Sequence, residues 1–349
     1  MLKIGFVGAG NMGQMAHMRH YANLPDCRVV SLAEPRPELA QKVAARYGIE
    51  RIYANAIEML EGEKLDGLVA PQPFDRHGGI ITPLYDFGIP ILTEKPLASS
   101  VQVGEQMIAA LEKSKSFHMV GYHKRNDPAV VWAKAEIARL QSTPSIGKLR
   151  YVRIAMPPGD WVSGGFDELI SSDEIIPSDQ IISEDAPDGT LNAEEFRQYI
   201  AFVNYYIHQV NLLRYLLGEN YHVTHADVSG VLLVAQSESG VTGSIEMAAY
   251  QTTLGWDESA FIAFEKGYLK IELPAPLSTV PGKVTAMYDG DARKLIPDLQ
   301  PEGAMRAQAK NFLRAIKGEI APPCEAHEAL EDLKIAREYF LLWKQNNNS

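Results

Sequence analysis

The sequence predicts an α/β protein of two domains: an N-terminal domain with a parallel sheet covered by helices, and a C-terminal α+β domain with an open, mostly antiparallel sheet. The 349 residues are too many for one typical core and suit two domains of unequal size. Short apolar runs alternate with amphipathic stretches up to residue 121, whereas strand-like segments are grouped together beyond it. We therefore place the domains at residues 1–122 and 123–349.

The first domain is predicted from short continuous apolar runs, which are typical of parallel strands buried on both faces. These runs lie at residues 2–7, 28–33, 66–71, 89–93 and 117–121. Between them the chain carries helix boundaries: Pro37 stands where a first helical turn tolerates proline, and Gly48 suits the C-terminal cap of the same helix. Ser99 or Ser100 can cap a later helix.

The second domain is predicted to contain a helix near 128–140, a strand near 148–155, a long helix at about 195–217, several strands and a terminal helical region. A segment at 157–190 is longer than a usual loop and carries many Asp and Glu residues but no Lys or Arg. It has two interpretations, a solvated insertion or an active-site lid or subunit contact.

The composition excludes several classes of partner. A formal charge of −11 disfavours nucleic acid and anionic membranes, which need clustered Lys and Arg, so we expect a small-molecule partner. The two cysteines, Cys27 and Cys324, suggest neither a disulfide framework nor a thiolate metal site. No secretion signal or membrane span is visible, and a cytoplasmic protein is expected.

The first strand leads into a G-x-G-x-x-G motif at a strand-to-helix turn, which is the fingerprint of a Rossmann dinucleotide-binding domain. Gly8 permits the tight turn, Gly10 lets a pyrophosphate approach the backbone, and Gly13 lets the helix pack close to its strand. The free N–H groups at Asn11 and Met12, where the helix starts, would then face the phosphates.

Glu34 lies 21 residues beyond Gly13, at the end of the second strand, where a carboxylate accepts hydrogen bonds from ribose hydroxyls. An acidic side chain there repels a 2′-phosphate, which favours NAD over NADP. Alternatively, Glu34 only caps the following helix. Arg36 leaves the choice of cofactor open, because an arginine could accommodate a 2′-phosphate or stack on adenine.

Two further segments, Thr93–Leu97 (TEKPL) and Gly121–Pro128 (GYHKRNDP), together with the glycine motif, resemble the glucose-fructose oxidoreductase and inositol dehydrogenase family, Gfo/Idh/MocA. The resemblance implies a Rossmann domain, a C-terminal sheet that often forms a dimer or tetramer interface, and an active site between the domains. It implies that Lys95 contacts substrate and nicotinamide and that Lys124 contacts substrate. Beside the cofactor it places Glu94, Pro71, Gln72, Phe74 and His77, where Gln72 replaces the threonine that is usual in the family.

An ammonium beside a substrate oxygen stabilises the negative charge that develops during hydride transfer, so Lys95 suits a catalytic role. Partial burial and the positive nicotinamide would lower its pKa and let it relay a proton. A plain surface lysine is the alternative.

Within the apolar helix at 195–217, Asn204, His208 and Asn211 share one narrow face at i, i+4 and i+7. This stripe is either a structural hydrogen-bond network or a row of groups facing a polar substrate. The family often has D-x-x-x-H-x-x-D here, which implies that His208 is the acid/base. Asn204 and Asn211 replace both carboxylates, so the chemistry depends more heavily on His208 with Lys95, and an inactive protein is conceivable.

No metal site is predicted, because the histidines are scattered. In the pair His222 and His225 the residues should face opposite sides of an edge strand. The leading hypothesis is NAD-dependent oxidation of a secondary alcohol, or reduction of the ketone, on a sugar, glycoside or inositol by a homodimer or homotetramer. The alternatives are elimination or hydrolysis of a glycoside by transient oxidation with tightly held NAD, and a nucleotide-binding sensor without turnover.

Overall fold

The computed structural model describes residues 1–157, 159–247, 255–288 and 293–347. The chain forms two compact units, each built from three separate stretches. The first unit comprises residues 1–122, 164–200 and 308–330, and the second comprises residues 123–163, 201–307 and 331–349. The first stretch of the first unit ends where we placed the domain boundary, but two later stretches of chain pack with it as well.

The first unit contains a parallel six-stranded sheet. Its strands are β1 (Leu2–Val7), β2 (Cys27–Ala33), β3 (Arg51–Tyr53), β4 (Gly67–Ala70), β5 (Ile91–Glu94) and β6 (His118–Gly121). They lie in the order β3-β2-β1-β4-β5-β6, which is that of a dinucleotide-binding sheet. The parallel sheet predicted from the apolar runs is confirmed. Only β3 was not predicted, because this strand is short and its first two residues are exposed.

The three helices with predicted bounds, at 37–48, 128–140 and 195–217, begin and end within two residues of those positions. The helices of the structure are α1 (Arg19–Tyr21), which continues a π-helical turn at Gly13–Met18, α2 (Pro37–Tyr47), α3 (Ala56–Gly62), α4 (His77–Ile81), α5 (Val101–Leu111), α6 (Pro128–Gln141), α7 (Ala193–Leu217), α8 (Ala304–Ile316) and α9 (Ala326–Asn347). Gly48 ends α2 in the left-handed conformation with φ +67°. The Ser100 side chain accepts a hydrogen bond from the Val103 N–H and caps α5, as one of the two predicted serines.

The core of the first unit is not made by its first stretch alone. Phe312 and Leu313 of α8 are buried in the same apolar cluster as Ile4 and Phe6 of β1. Burying a side chain of this size contributes about 1.5–3 kcal/mol. The sheet therefore depends on residues that follow it by nearly two hundred positions.

The second unit contains an eight-stranded mixed sheet. Its strands are β7 (Leu149–Ala155), β8 (Tyr221–Ala226), β9 (Leu232–Ser237), β10 (Thr242–Glu246), β11 (Glu258–Phe264), β12 (Gly267–Leu273), β13 (Lys283–Tyr288) and β14 (Arg293–Leu295). The order is β14-β13-β12-β11-β7-β10-β9-β8. All neighbours pair antiparallel except β7 and β10. The predicted open, mostly antiparallel sheet is confirmed.

The histidine pair on the edge strand β8 differs from its prediction. We expected His222 and His225 to face opposite sides, but both are exposed. The cause is an irregularity in the pairing of β8 with β9, whose register shifts between Val223 and His225. His222 instead lies 3.6 Å from a carboxylate oxygen of Glu338.

A buried histidine links three elements of the first unit. His118 of β6 is fully buried, with its ring nitrogens 2.8 Å from the hydroxyl groups of Thr93 and Tyr85. Burial, with the nearby His77 as a smaller cause, lowers the pKa of His118 from 6.5 to about 3. Between about pH 3 and pH 6.5, His118 therefore carries a proton in the unfolded chain but not in the folded chain.

We expect the contribution of His118 to stability to be complete above about pH 6.5 and to be lost as the pH falls toward 3. Thermal unfolding between about pH 7 and pH 4 should show a shallower fall of the midpoint in His118→Gln than in the wild type. His118→Asn is a second variant, and His225→Gln changes an exposed histidine as the control. If the unfolding midpoint falls equally steeply with pH in the wild type and in both His118 variants, this expectation is wrong.

Candidate functional site

The predicted cofactor residues of the first unit lie at one edge of its sheet. The glycine loop follows β1, Glu34 follows β2, the loop at 71–77 follows β4, and Glu94 is the last residue of β5. Because these strands are parallel, their carboxyl ends share one edge, which is where open α/β sheets bind their ligands.

The glycine loop has the shape that a dinucleotide needs. Gly8 has φ +92°, and a Cβ at Gly13 would lie 2.8 Å from the Gly8 carbonyl oxygen, so the helix approaches its strand closely. A Cβ at Gly10 would meet no atom within 4 Å, which leaves open space on the side where a pyrophosphate approaches. These residues fit the predicted cofactor.

Glu34 is buried at this edge and is held by several donors. Its carboxylate accepts from the Ala9 N–H at 2.8 Å and from the Arg36 Nε at 2.7 Å. It does not cap α2, because the N–H groups of Glu38 and Leu39 in the first turn donate to a different carboxylate, that of Glu174. The geometry therefore favours the interpretation of Glu34 as a ribose ligand over that of a helix cap.

The segment at 157–190, rich in Asp and Glu and called the acidic segment below, crosses the same edge of the sheet. Position 158 lies outside the described residues; from residue 164 the segment packs with the first unit. The Gln14 amide exchanges hydrogen bonds with the Ile170 backbone at 2.9 and 3.1 Å. Further on, Asp185 accepts from the N–H groups of Gly78 and Gly79 at 2.8 and 3.1 Å. The chain thus passes from the end of β2 to the end of β4.

The loop after β4 is fixed by its own polar side chains. The Gln72 amide donates to the Val7 carbonyl at 2.6 Å and so stays against the glycine loop. The two ring nitrogens of the fully buried His77 lie 3.0 Å from the Leu97 oxygen and 3.1 Å from the Gln72 oxygen. Burial lowers the pKa of His77. This geometry suits a residue that positions the loop, in which Pro71 and Phe74 are half-buried.

Glu94 and Lys95 differ in their surroundings. Glu94 is buried, and its carboxylate lies 2.7 Å from the Nε2 of His17, a buried histidine of the helical turn that follows the glycine loop. Lys95 is half-buried and is joined to Pro96 by a cis peptide bond. Sequence reasoning did not find His17, because one histidine on an apolar helix gives no signal of its partner.

The polar stripe of α7, in the second unit, is not uniformly buried as we expected. Asn204 is exposed, His208 is half-buried and Asn211 is buried. Helical spacing assigns the three residues to one face, but the face runs from solvent into the core. Asn204 and His208 are therefore the members that a solute could reach.

Asn211 is committed to a buried network. It accepts from the Arg125 Nε at 2.9 Å and donates to Asp332 at 2.6 Å, while the Arg214 Nε donates to the other oxygen of Asp332 at 2.7 Å. Asp332 is fully buried and Arg214 nearly so. A structural role for Asn211, one of our two interpretations of the stripe, is favoured.

His208 packs against His123, with ring centroids 4.8 Å apart and the planes near perpendicular. His123 neighbours Lys124, whose ammonium lies 2.9 Å from a carboxylate oxygen of Glu258. The Gln209 amide donates to the other oxygen of Glu258 at 2.8 Å. Lys124 is therefore a buried, paired cation, and it lines a cavity with His123 and Asp127. The contact with substrate that the resemblance implies for Lys124 stays a prediction.

Among the described residues, no three histidine, cysteine, aspartate or glutamate side chains are arranged to hold a metal ion. None of the described helices is both long and apolar enough to span a membrane.

Comparisons with known proteins agree with this geometry. Residues 2–122 match the sequence profile GFO_IDH_MocA, described as an oxidoreductase family with an NAD-binding Rossmann fold. The predicted NAD-binding domain is thereby confirmed. The chain is 25% identical over 347 residues to an inositol 2-dehydrogenase of Rhizobium meliloti (strain 1021), covering 92% of this chain and 91% of the relative.

A scyllo-inositol 2-dehydrogenase (NAD(+)) of Bacillus subtilis (strain 168) is 23% identical over 291 residues, covering 77% of this chain and 73% of the relative. Among solved structures, a levoglucosan dehydrogenase in complex with NADH and levoglucosan superposes with a TM-score of 0.73 at 19% identity. The match covers 99% of this chain and 97% of that one, and it shows the shared fold.

Proposed function

Since the chain belongs to the Gfo/Idh/MocA family of NAD-binding oxidoreductases, we propose that it transfers a hydride between NAD(H) and a secondary alcohol or ketone of a sugar, glycoside or inositol. The observation that carries the proposal is the arrangement at one sheet edge of the glycine loop, the buried Glu34 and the Glu94–Lys95 pair. The relatives named inositol 2-dehydrogenase and levoglucosan dehydrogenase support the class of substrate.

The first unit supplies the residues that hold the cofactor. The backbone of Gly8–Gly13 would hold the pyrophosphate, and Glu34 would accept hydrogen bonds from the ribose hydroxyls. Gln72 and His77 fix the loop on the other side of β1, and Glu94, paired with His17, fixes the end of β5. NAD, when bound, supplies the hydride acceptor, and the chain supplies binding and proton transfer.

Lys95 and His208 share the proton chemistry in this proposal. During oxidation His208 takes the hydroxyl proton, while the Lys95 ammonium stabilises the negative charge on the same oxygen. Lys95 belongs to the first unit and His208 to the second, so their convergence stays a prediction. Asn204, exposed one turn before His208, is proposed to bind a substrate hydroxyl.

Lys124 has a more limited role in the proposal than the resemblance implied. The charge of Lys124 is already balanced by Glu258. In this proposal Lys124 therefore fixes the position of the neighbouring His123 and orients substrate mainly in that way. Action in the cytoplasm as a homodimer or homotetramer remains a prediction from the sequence.

The proposal is tested by a panel of inositols, sugars and glycosides with NAD, in which the absorbance of reduced nicotinamide is followed. We expect at least one polyol to support NADH formation, and NADH to bind more tightly than NADPH in calorimetry. Lys95→Ala serves as the control for background reduction. Product formation without net NADH would indicate transient oxidation instead, and cofactor binding without any turnover would indicate a sensor.

A further inference from the structure

The first turn of α2 already holds an anion, and that anion belongs to the chain itself. We propose that Glu174 determines the choice of cofactor, because its carboxylate occupies the position that the 2′-phosphate of NADP would take. The inference rests on the proposed NAD site and assigns its selectivity to a residue outside the Rossmann sequence motif.

The position of a 2′-phosphate follows from the surroundings of Glu34. A carboxylate at the end of β2 binds the ribose hydroxyls, so a phosphate on the 2′-oxygen would extend toward the residues that follow it. Those residues are Arg36 and the start of α2, an arginine and a helix N-terminus, which together favour an anion.

Glu174 takes both of the backbone donors available there. Its two carboxylate oxygens accept from the Glu38 N–H at 3.0 Å and the Leu39 N–H at 2.8 Å, and the Ser172 hydroxyl lies 3.2 Å from the second oxygen. Arg36 meanwhile makes two side-chain hydrogen bonds to Glu34. A 2′-phosphate would therefore have to displace Glu174 and to compete with Glu34 for Arg36.

Contacts made by residues before and after Glu174 in the chain hold its carboxylate in place. Arg46 of α2 pairs with Glu168 at 3.1 Å, and Gln14 pairs with the Ile170 backbone, so the segment lies along α2 before it reaches the first turn. Beyond Glu174, Asp185 ties the segment to Gly78. The chain on both sides is thus anchored to the unit that binds the cofactor.

The experiment compares Glu174→Ala, Glu174→Gln and the wild type by calorimetric titration with NADH and NADPH. 5′-AMP and adenosine 2′,5′-bisphosphate serve as probes that differ only in the 2′-phosphate. We expect Glu174→Ala to raise affinity for NADPH relative to NADH by about tenfold or more, with NADH affinity nearly unchanged. A similar gain in Glu174→Gln, which keeps the size of the side chain, assigns the effect to charge, and a smaller gain assigns it to occupancy.

Glu184→Gln is the matched control, because it removes an exposed carboxylate of the same segment ten residues beyond Glu174, and it should leave both affinities unchanged. If both Glu174 variants still bind NADH and their ratio of NADPH to NADH affinity stays within about twofold of the wild-type ratio, this inference is overturned while the proposed function stands. A wild type that binds neither cofactor would overturn the proposed function together with it.

Discussion

Lys95→Ala and His208→Ala are each expected to lower the turnover rate by roughly 10² to 10⁴, or about 3–5 kcal/mol of transition-state stabilisation. The loss is this large because each side chain acts on charge that develops only during the reaction. NAD affinity should change much less: modestly in Lys95→Ala, which borders the nicotinamide in the proposed complex, and hardly in His208→Ala. Steady-state kinetics and NADH titration of the same preparations separate the two quantities.

The controls are Lys113→Ala and His225→Ala, which remove an exposed lysine and an exposed histidine, and both should retain full activity. Full activity in His208→Ala would remove that residue from the mechanism and leave it a packing partner of His123. Equal losses of kcat and of NADH affinity in Lys95→Ala would mark Lys95 as a cofactor ligand without a separate role in the chemical step.

Asn204→Asp distinguishes an acid/base from a packing role for His208. A carboxylate one helical turn from the imidazole favours its protonated form, so the pH dependence of kcat/KM should shift toward higher pH if His208 is the base. The variant should be well tolerated, because Asn204 is exposed. An unchanged pH profile, with activity retained, would contradict the assignment.

Asp332→Ala is expected to destabilise the protein by about 3–5 kcal/mol. The substitution leaves the buried Arg214 guanidinium without its carboxylate and takes from the Asn211 amide its acceptor. Breaking one side of a buried ion pair is costly because the remaining charge cannot be hydrated. Denaturant unfolding monitored by circular dichroism measures the difference.

The control for this prediction is Glu331→Ala, the preceding residue of α9, whose pair with Lys334 lies at the surface. It should cost no more than about 1 kcal/mol. A loss in Asp332→Ala that is as small as in the control would show that the network of Asn211, Arg214 and Asp332 adds little to stability.

Much of the fold could be predicted because local chemistry defines it. Continuous apolar runs mark buried parallel strands, and Gly48 and Ser100 mark helix ends through conformations and hydrogen bonds that involve only near neighbours. β3 was missed because its three residues form an exposed edge without a continuous apolar run. The assignment of residues 164–200 and 308–330 to the first unit could not be predicted, because their partners are distant in the chain.

The same distinction between local features and distant contacts applies to the candidate site. The glycine motif and Glu34 follow from spacing, since one strand and one turn fix their geometry. His17, Glu174 and Asp332 act through partners more than seventy residues away, and no local pattern announces such pairs. Helical periodicity places Asn204 and Asn211 on one face of α7, but it could not predict how deeply each residue is buried, because burial depends on what covers each end of the helix.

The cofactor-binding unit is discontinuous, and this limits how such a protein can be recombined. Excising residues 1–122 as a module would expose the apolar surface that Phe312 and Leu313 cover and would leave the first turn of α2 without the carboxylate of Glu174. Exchange of the N-terminal domain between relatives would likewise join one chain's glycine loop to another chain's residues 164–200 and 308–330. A functional graft must therefore carry all three stretches of the unit together.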